Sequence, residues 1–215
     1  MSTITINTSS LKACAFAMSK EKCRYYLNGV YFDDGILVAT DGHKLAAIKP
    51  ATWESEKGES FILPSDTVAK IIAVKPHSKK MPPLLVTFDT ETKIARVHHT
   101  DKEGNEMPLA AFPYKPIDGT FPSWRRVIPS SENFQRGEEK ESNLNAAGFN
   151  SEYLGMFKAF GKSVKMFLNL SPAEPCIFRA RNDEFEALGL LMPMRVDEFS
   201  DVVPSWVKEK PPVSE

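Results

Sequence analysis

Much of what this chain does can be narrowed from what its sequence lacks. No apolar run approaches the roughly 20 residues that a bilayer-crossing helix needs. The opening MSTITINTSS has no basic stretch followed by a greasy one, so a soluble protein without a leader is expected. Cysteine is scarce: Cys14, Cys23 and Cys176 are odd in number and without CxxC spacing, which fits small core residues of a reducing compartment better than a disulfide framework or a zinc site. Neither sign of charge dominates. The chain has 27 Lys and Arg against 28 Asp and Glu, a formal net charge of −1, so a nucleic-acid surface would have to come from uneven placement of cations. There is no glycine-rich phosphate loop, HExxH pair or nucleophile elbow. Two spots remain for an enzyme reading, Asp41 with His43 and the pair His98-His99. The first has no nucleophile nearby and also reads as a surface loop capping a hairpin. The second places neighbouring side chains on opposite faces of a strand, which suits one metal ion poorly. No catalytic residue, metal or cofactor is therefore expected.

What is present is an ordinary soluble composition, 42% apolar over 215 residues, enough for one large or two small domains. The stretch RYYLNGVYFDDGILVATDGHKL (24–45) sets the pattern: β-favouring residues, a turn at Asp33-Asp34-Gly35, and a second run from Ile36. Asp-Gly between two such runs predicts a hairpin, because glycine tolerates the positive φ of the turn. In chain order a strand around Ile4 and Ile6 is expected first. A helix capped by Ser9 or Ser10 follows, with Leu11, Cys14, Ala15 and Met18 on its buried stripe. Strands follow at 25–32, 36–40 and 45–49, then a polar loop at 50–60. A second copy begins with strand 61–63 and a helix from Pro64-Ser65-Asp66 whose apolar face is Val68, Ile71 and Ile72. It continues with strands at 84–88, 94–98 and 107–112. A third begins at Phe149, with Asn150 or Ser151 capping a helix whose stripe is Tyr153, Met156, Phe157 and Phe160. Its strands are expected at 164–170, 176–180 and 185–191. Three copies of strand–helix–three strands make an α+β fold of repeats. The extra length before the third copy is the proline-rich 113–130 and the charged SSENFQRGEEKESNLNA (130–146), which reads as an inter-domain linker.

The segments RYYLNGV and ATDGHKLA resemble the bacterial DNA polymerase III beta subunit, the sliding clamp. The likeness continues in order through FILPSDTVAKI (61–71), PIDGTFPSWRRVIP (116–129), FNSEYL (149–154) and LMPMR (191–195), covering about residues 24–196. It implies a DNA-clamp fold with helices on one side of antiparallel sheets, here one and a half clamp domains. Residues 1–129 would be a complete domain, 130–147 a linker, 148–196 a half domain and 197–215 a tail beyond the usual end of the family. A shortened form, of host, phage or mobile-element origin, would act in the cytoplasm at the replisome. Family rings contain twelve repeats, so three per chain implies a homo-tetramer, with the odd half-domain pairing with its like across a two-fold axis.

The same resemblance implies partners and residues. Double-stranded DNA would be held without sequence preference by Lys12, Lys20, Lys70, Lys158 and Lys162 on the helices, with Arg24, Tyr25 and Tyr26 at the rim. Solvated helix faces, and burial of one tyrosine under the sheet, are the plainer accounts of these residues. A hydrophobic pocket for peptides of DNA polymerase, the clamp loader and other replication proteins would use Leu27, Thr40, Gly42, His43, Lys44, Leu45, Pro122, Arg126, Val127, Asn150, Tyr153, Met192, Pro193, Met194 and Arg195. The methionines suit varied partners because they repack easily; a last edge strand with core methionines is the alternative. Lys44 stands where bacterial clamps usually carry arginine, keeping the charge without the planar fork. The Val202–Val207 patch of the tail is expected either to be disordered or to pack beside the pocket or a neighbouring subunit. A truncated decoy that binds a host clamp or its clients without encircling DNA is the competing function.

Overall fold

The computed structural model describes residues 3–55, 60–76, 82–130, 147–169 and 173–196. Strand β1 (Thr3–Asn7) runs directly into helix α1 (Thr8–Ala15), and the N-cap is Asn7, not Ser9 or Ser10. Ser10 is fully buried, and its hydroxyl donates to Asn7 Oδ1. Leu11 and Cys14 of the expected stripe are buried. The strand expected from residue 25 starts later: Tyr25–Leu27 form one tight 3-10 turn, closed by Asn28 N–H donating to the Tyr25 carbonyl at 3.0 Å. Strands β2 (Gly29–Asp33), β3 (Ile36–Thr40) and β4 (Lys44–Pro50) follow. Asp34 and Gly35 between β2 and β3 have φ of 41° and 85°, the left-handed pair of the expected hairpin turn. The stretch expected to be a polar loop contains a short strand, β5 (Trp53–Ser55), anchored on β1 with Trp53 opposite Ile6 and against the Phe32 ring.

The second copy is β6 (Phe61–Pro64), α2 (Ser65–Ala73), β7 (Leu85–Asp89), β8 (Ile94–Thr100) and β9 (Glu106–Pro113). The third is α3 (Ser151–Met156), a 3-10 turn at Phe157–Phe160, β10 (Lys165–Phe167), β11 (Cys176–Arg181) and β12 (Phe185–Leu191). Asn150 caps α3 as expected, its Oδ1 accepting from the N–H groups of Glu152 and Tyr153 at 2.9 and 3.2 Å. The leading strand of this copy is reduced to a single bridge between Gly148 and Met194.

These strands form two antiparallel sheets, ordered β5-β1-β7-β8-β9 and β10-β11-β12-β4-β3-β2-β6. The seam that matters is β12 on β4, in register from Leu191 opposite Lys44 to Phe185 opposite Pro50. The third copy thereby continues the sheet of the first.

Period-2 alternation divides this seven-stranded sheet into two apolar faces. Val30, Phe32, Leu37, Ala39, Ala46, Ile48, Phe178, Ala187 and Leu191 face a core shared with α1, α2, the Phe157–Phe160 turn and the other sheet. Phe16, just after α1, meets the rings of Phe157 and Phe160 edge-on, so the third copy's helical segment joins the same layer. Gly189 of β12 permits this close approach. A Cβ there would lie 2.2 Å from Phe157 Cε1. The opposite face presents Leu27, Val38, Leu45, Ala47, Ile62 and Leu190, and is covered by the segment after β9. Ile117 N–H donates to the Ile62 carbonyl at 2.9 Å, Phe121 stacks on Tyr31 at 4.7 Å, and Trp124 Nε1 donates to Asp33 Oδ2 at 2.8 Å.

Candidate functional site

On that second face, beside the β4–β12 seam and bordered by the covering segment, lies a groove of about 260 Å³. Its lining includes Leu27, Thr40, Gly42, His43, Lys44, Leu45, Pro122, Val127 and Met192, all expected at a peptide pocket. Four remote parts of the chain supply most of it: the 3-10 turn Tyr25–Leu27, the turn between β3 and β4, the 3-10 turn Trp124–Val127, and the end of β12. The exit of β12 is tied to the β3–β4 turn, since Met192 N–H donates to the His43 carbonyl at 2.9 Å. Next to it Met194 N–H donates to the Gly148 carbonyl at 2.8 Å, which brings in the start of the third copy.

Tyr153, also expected at the pocket, does not line the groove and packs against the core of the other face. Its ring lies under the Lys44 ammonium, 4.2 Å from Nζ to the ring centre, and 6.2 Å from the His43 ring. Asn150, Arg126, Pro193, Met194 and Arg195 do not line the groove. The Asn150 side chain is used to cap α3. Arg126, Met194 and Arg195 are exposed and Pro193 is half-buried.

Arg24, Tyr26, Ser123, Trp124, Pro175 and Leu190 complete the lining. Arg24 and Tyr26 were expected at DNA; the structure puts both on the groove wall. The Arg24 guanidinium is held by Glu21 through two bonds of 2.9 and 2.8 Å. It lies over Gly42, where a Cβ would come within 2.7 Å of Nη1, and Gly42 has φ of 94°. A side chain at 42 would therefore be strained and would displace Arg24. Tyr25 is exposed, with its ring edge-on to Tyr26. Lys12, Lys20, Lys70, Lys158 and Lys162 are all exposed. Lys12 lies on α1, Lys70 on α2 and Lys158 on the Phe157–Phe160 turn, whereas Lys20 and Lys162 lie past the ends of α1 and of that turn and not, as expected, on a helix. Trp124 and Leu190 were within reach of sequence reasoning, the one inside FPSWRRV and the other by alternation along β12. Pro175, just before β11, carries no signal of its own.

The β3–β4 turn is built around Asp41. Its Oδ1 accepts the N–H groups of His43 and Lys44 at 2.9 and 3.0 Å, and its Oδ2 pairs with the Lys44 ammonium. Burial works against ionising Asp41, but the Lys44 ammonium and those two N–H groups outweigh it and hold the carboxyl below the usual range. Both carboxylate oxygens are thus committed to the turn, which argues against a general-base role for Asp41. Lys44 is buried and directed to Asp41 and Tyr153, so here it supports the groove from beneath. Two thiols are also inert: burial pushes Cys14 up, and raises Cys176 to about 11.

The model of the DNA polymerase III beta subunit central domain matches residues 5–123, over half of the chain. The chain belongs to the DNA polymerase III beta subunit family. Among curated relatives, the beta sliding clamp of Haemophilus influenzae is 32% identical over 123 residues, covering 55% of this chain and 30% of that one. That of Caulobacter vibrioides is 34% identical over 123 residues, covering 53% and 30%. The chain thus spans 30% of the length of these relatives. Among solved structures, the DnaN sliding clamp from Bartonella birtlesii bound to griselimycin superposes with a TM-score of 0.61 at 23% identity, covering 91% of this chain and 66% of that one. The beta subunit from Thermotoga maritima gives a TM-score of 0.61 at 17% identity, covering 92% and 66%. At that level of identity the superposition speaks to fold, and it extends the clamp fold past the family match into the third copy.

Proposed function

We propose that this chain is a shortened sliding clamp, a binding protein and not an enzyme. Copies of it close around duplex DNA with the helices inward, and the outer groove captures short apolar peptides of DNA polymerases and other replication proteins. One observation carries the reading: the lysine-bearing helices and the apolar groove lie on opposite faces of one seven-stranded sheet. A ring needs that division, because the surface that meets DNA and the surface that meets clients must not compete. Lysine contacts to phosphate supply affinity without reading sequence, so they leave the protein able to move along the duplex. Closure of the ring, not the strength of these contacts, keeps it there.

In this reading residues 1–129 form a complete clamp domain and 148–196 a half domain, joined by a linker of which residues 131–146 lie outside the described residues. The half domain is completed by the same half of another copy, and four chains supply a full ring. Arg24 and Tyr26 serve the groove, while Tyr25 remains available to DNA.

Griselimycin, to which the Bartonella birtlesii clamp is bound, serves as the probe, and this reading expects it to enter the groove. Titrated calorimetrically into the chain, it should bind saturably. Met192→Glu, at an exposed position of the lining, should weaken it by about tenfold or more with an unchanged circular dichroism spectrum, as expected when a charge meets an apolar contact. Absence of binding to the unaltered chain, or indifference to Met192→Glu, would overturn the assignment of the groove.

A further inference from the structure

The exposed apolar side chains near the groove form a path leading out of it. Val127 in the groove is 55% exposed and Met192 41%, and Met194 and Val196 continue the row at 49% and 54%. Single exposed apolar residues are ordinary, but a row of them running from a groove marks an interaction surface. The row ends at Val196, the last described residue, and the chain continues as DEFSDVVPSWVKEK (197–210).

We infer that residues 197–207 of the same chain occupy the groove, so that client peptides must displace the chain's own tail. The inference rests on reading the groove as a peptide site, and it names a competitor for that site.

Reach is sufficient. Met192 lines the groove four positions before Val196, and the ten residues from 197 to 206 span up to about 33 Å when extended. Charge is complementary. Asp197, Glu198 and Asp201 precede any basic residue of the tail, the first being Lys208. The groove wall carries Arg24, already paired with Glu21, and His43. Arg126, next to the lining residue Val127, and Arg195, between Met194 and Val196 of the exposed row, are exposed and make no ion pair among the described residues. The apolar character also matches: Phe199, Val202, Val203 and Trp206 are of the kind that a floor of Leu27, Leu45, Trp124 and Leu190 would accept. A tethered segment acts at an effective concentration on the order of millimolar, so even an intrinsic affinity of about 100 µM would weaken a competing peptide by about tenfold. Tight clients would pass this filter and weak ones would not.

The test uses the full chain and, as probe, a fluorescent peptide of residues 197–209 read by anisotropy. It is titrated into the unaltered protein and into the full-length variant Val203→Ser/Trp206→Ser, whose own tail is disabled. The peptide should bind the variant about tenfold more tightly than the unaltered protein, and adding Met192→Glu to the variant should abolish the binding. Equal affinity for the two proteins overturns the inference, as does failure of the peptide to bind the variant. Griselimycin separates the causes: if it still binds, the groove reading stands and only the tail assignment fails; if it does not, both fail. A tenfold difference that disappears on diluting the protein assigns the occupant to a second copy and overturns the same-chain assignment.

Discussion

Asp41→Asn probes the ion pair beneath the groove with little change of shape. The Lys44 side chain is only 5% exposed and that of Asp41 13%. Among the described residues the ammonium has two partners, the Asp41 carboxylate and the face of Tyr153. Asparagine keeps an oxygen for the N–H groups of His43 and Lys44 but turns an amide NH₂ toward the ammonium. Removing one member of a buried pair costs about 3–5 kcal/mol. The remaining water contact of Asp41 and the Tyr153 ring, a cation–π contact of about 1 kcal/mol, reduce the expected loss to about 2–3 kcal/mol. Lys44→Met should cost less, about 1 kcal/mol, because the carboxylate left behind keeps two backbone donors and some water. Combining the two should then cost less than their sum, with a coupling of about 1 kcal/mol or more. Urea unfolding of the four proteins, followed by circular dichroism, measures all of this. An Asp41→Asn loss within about 0.5 kcal/mol of zero, the range of ordinary surface changes, would refute the claim that Lys44 depends on Asp41.

Gly189→Ala places a Cβ 2.2 Å from Phe157 Cε1 and 2.9 Å from Phe160 Cε2. It should destabilise by about 1–3 kcal/mol through overpacking, with hydrogen exchange accelerated in β11 and β12 before β7 and β8. Stability should hold from pH 7 to pH 5 and fall below about pH 4, near the unfolded Asp value. Asp41, Asp89 and Asp101 all titrate below their ordinary range when folded: Asp41 through the donors that overcome its burial, Asp89 through hydrogen bonds from Thr92, and Asp101 through those from Asn105. A lowered folded value means that the stabilisation is present above the unfolded value and is lost as pH falls through the folded one, and urea midpoints across this range check it. Native mass spectrometry should find four chains; a trimer, or a monomer at every concentration, contradicts the count of repeats.

Local features of the fold were legible where chemistry is local. Asp34-Gly35 announced its turn, Asn150 its cap, and the alternation of Phe185, Ala187 and Leu191 the inner face of β12. What escaped was set by contacts far along the chain. Tyr25-Tyr26-Leu27 has a strand-like composition but closes a turn, with Leu27 packed on the outer face. Trp53 converts a polar stretch into a short strand because one ring finds Phe32. The pairing of β12 with β4 joins residues well over a hundred positions apart, and no periodicity names a strand's neighbour. The groove residues were legible mainly by resemblance, which named Arg24 and Tyr26 for DNA but not for the groove wall that both also line. The tail patch at Val202–Val207 lies outside the described residues.

The most direct test of the account is retention on DNA of defined topology. The protein, loaded on a circular duplex and washed in high salt that screens the lysine contacts, should remain bound and should be released when the same circle is cut once. Equal loss from the intact and the cut circle, or no association with either, would contradict a closed ring and leave this chain a clamp fold that binds clients without encircling DNA.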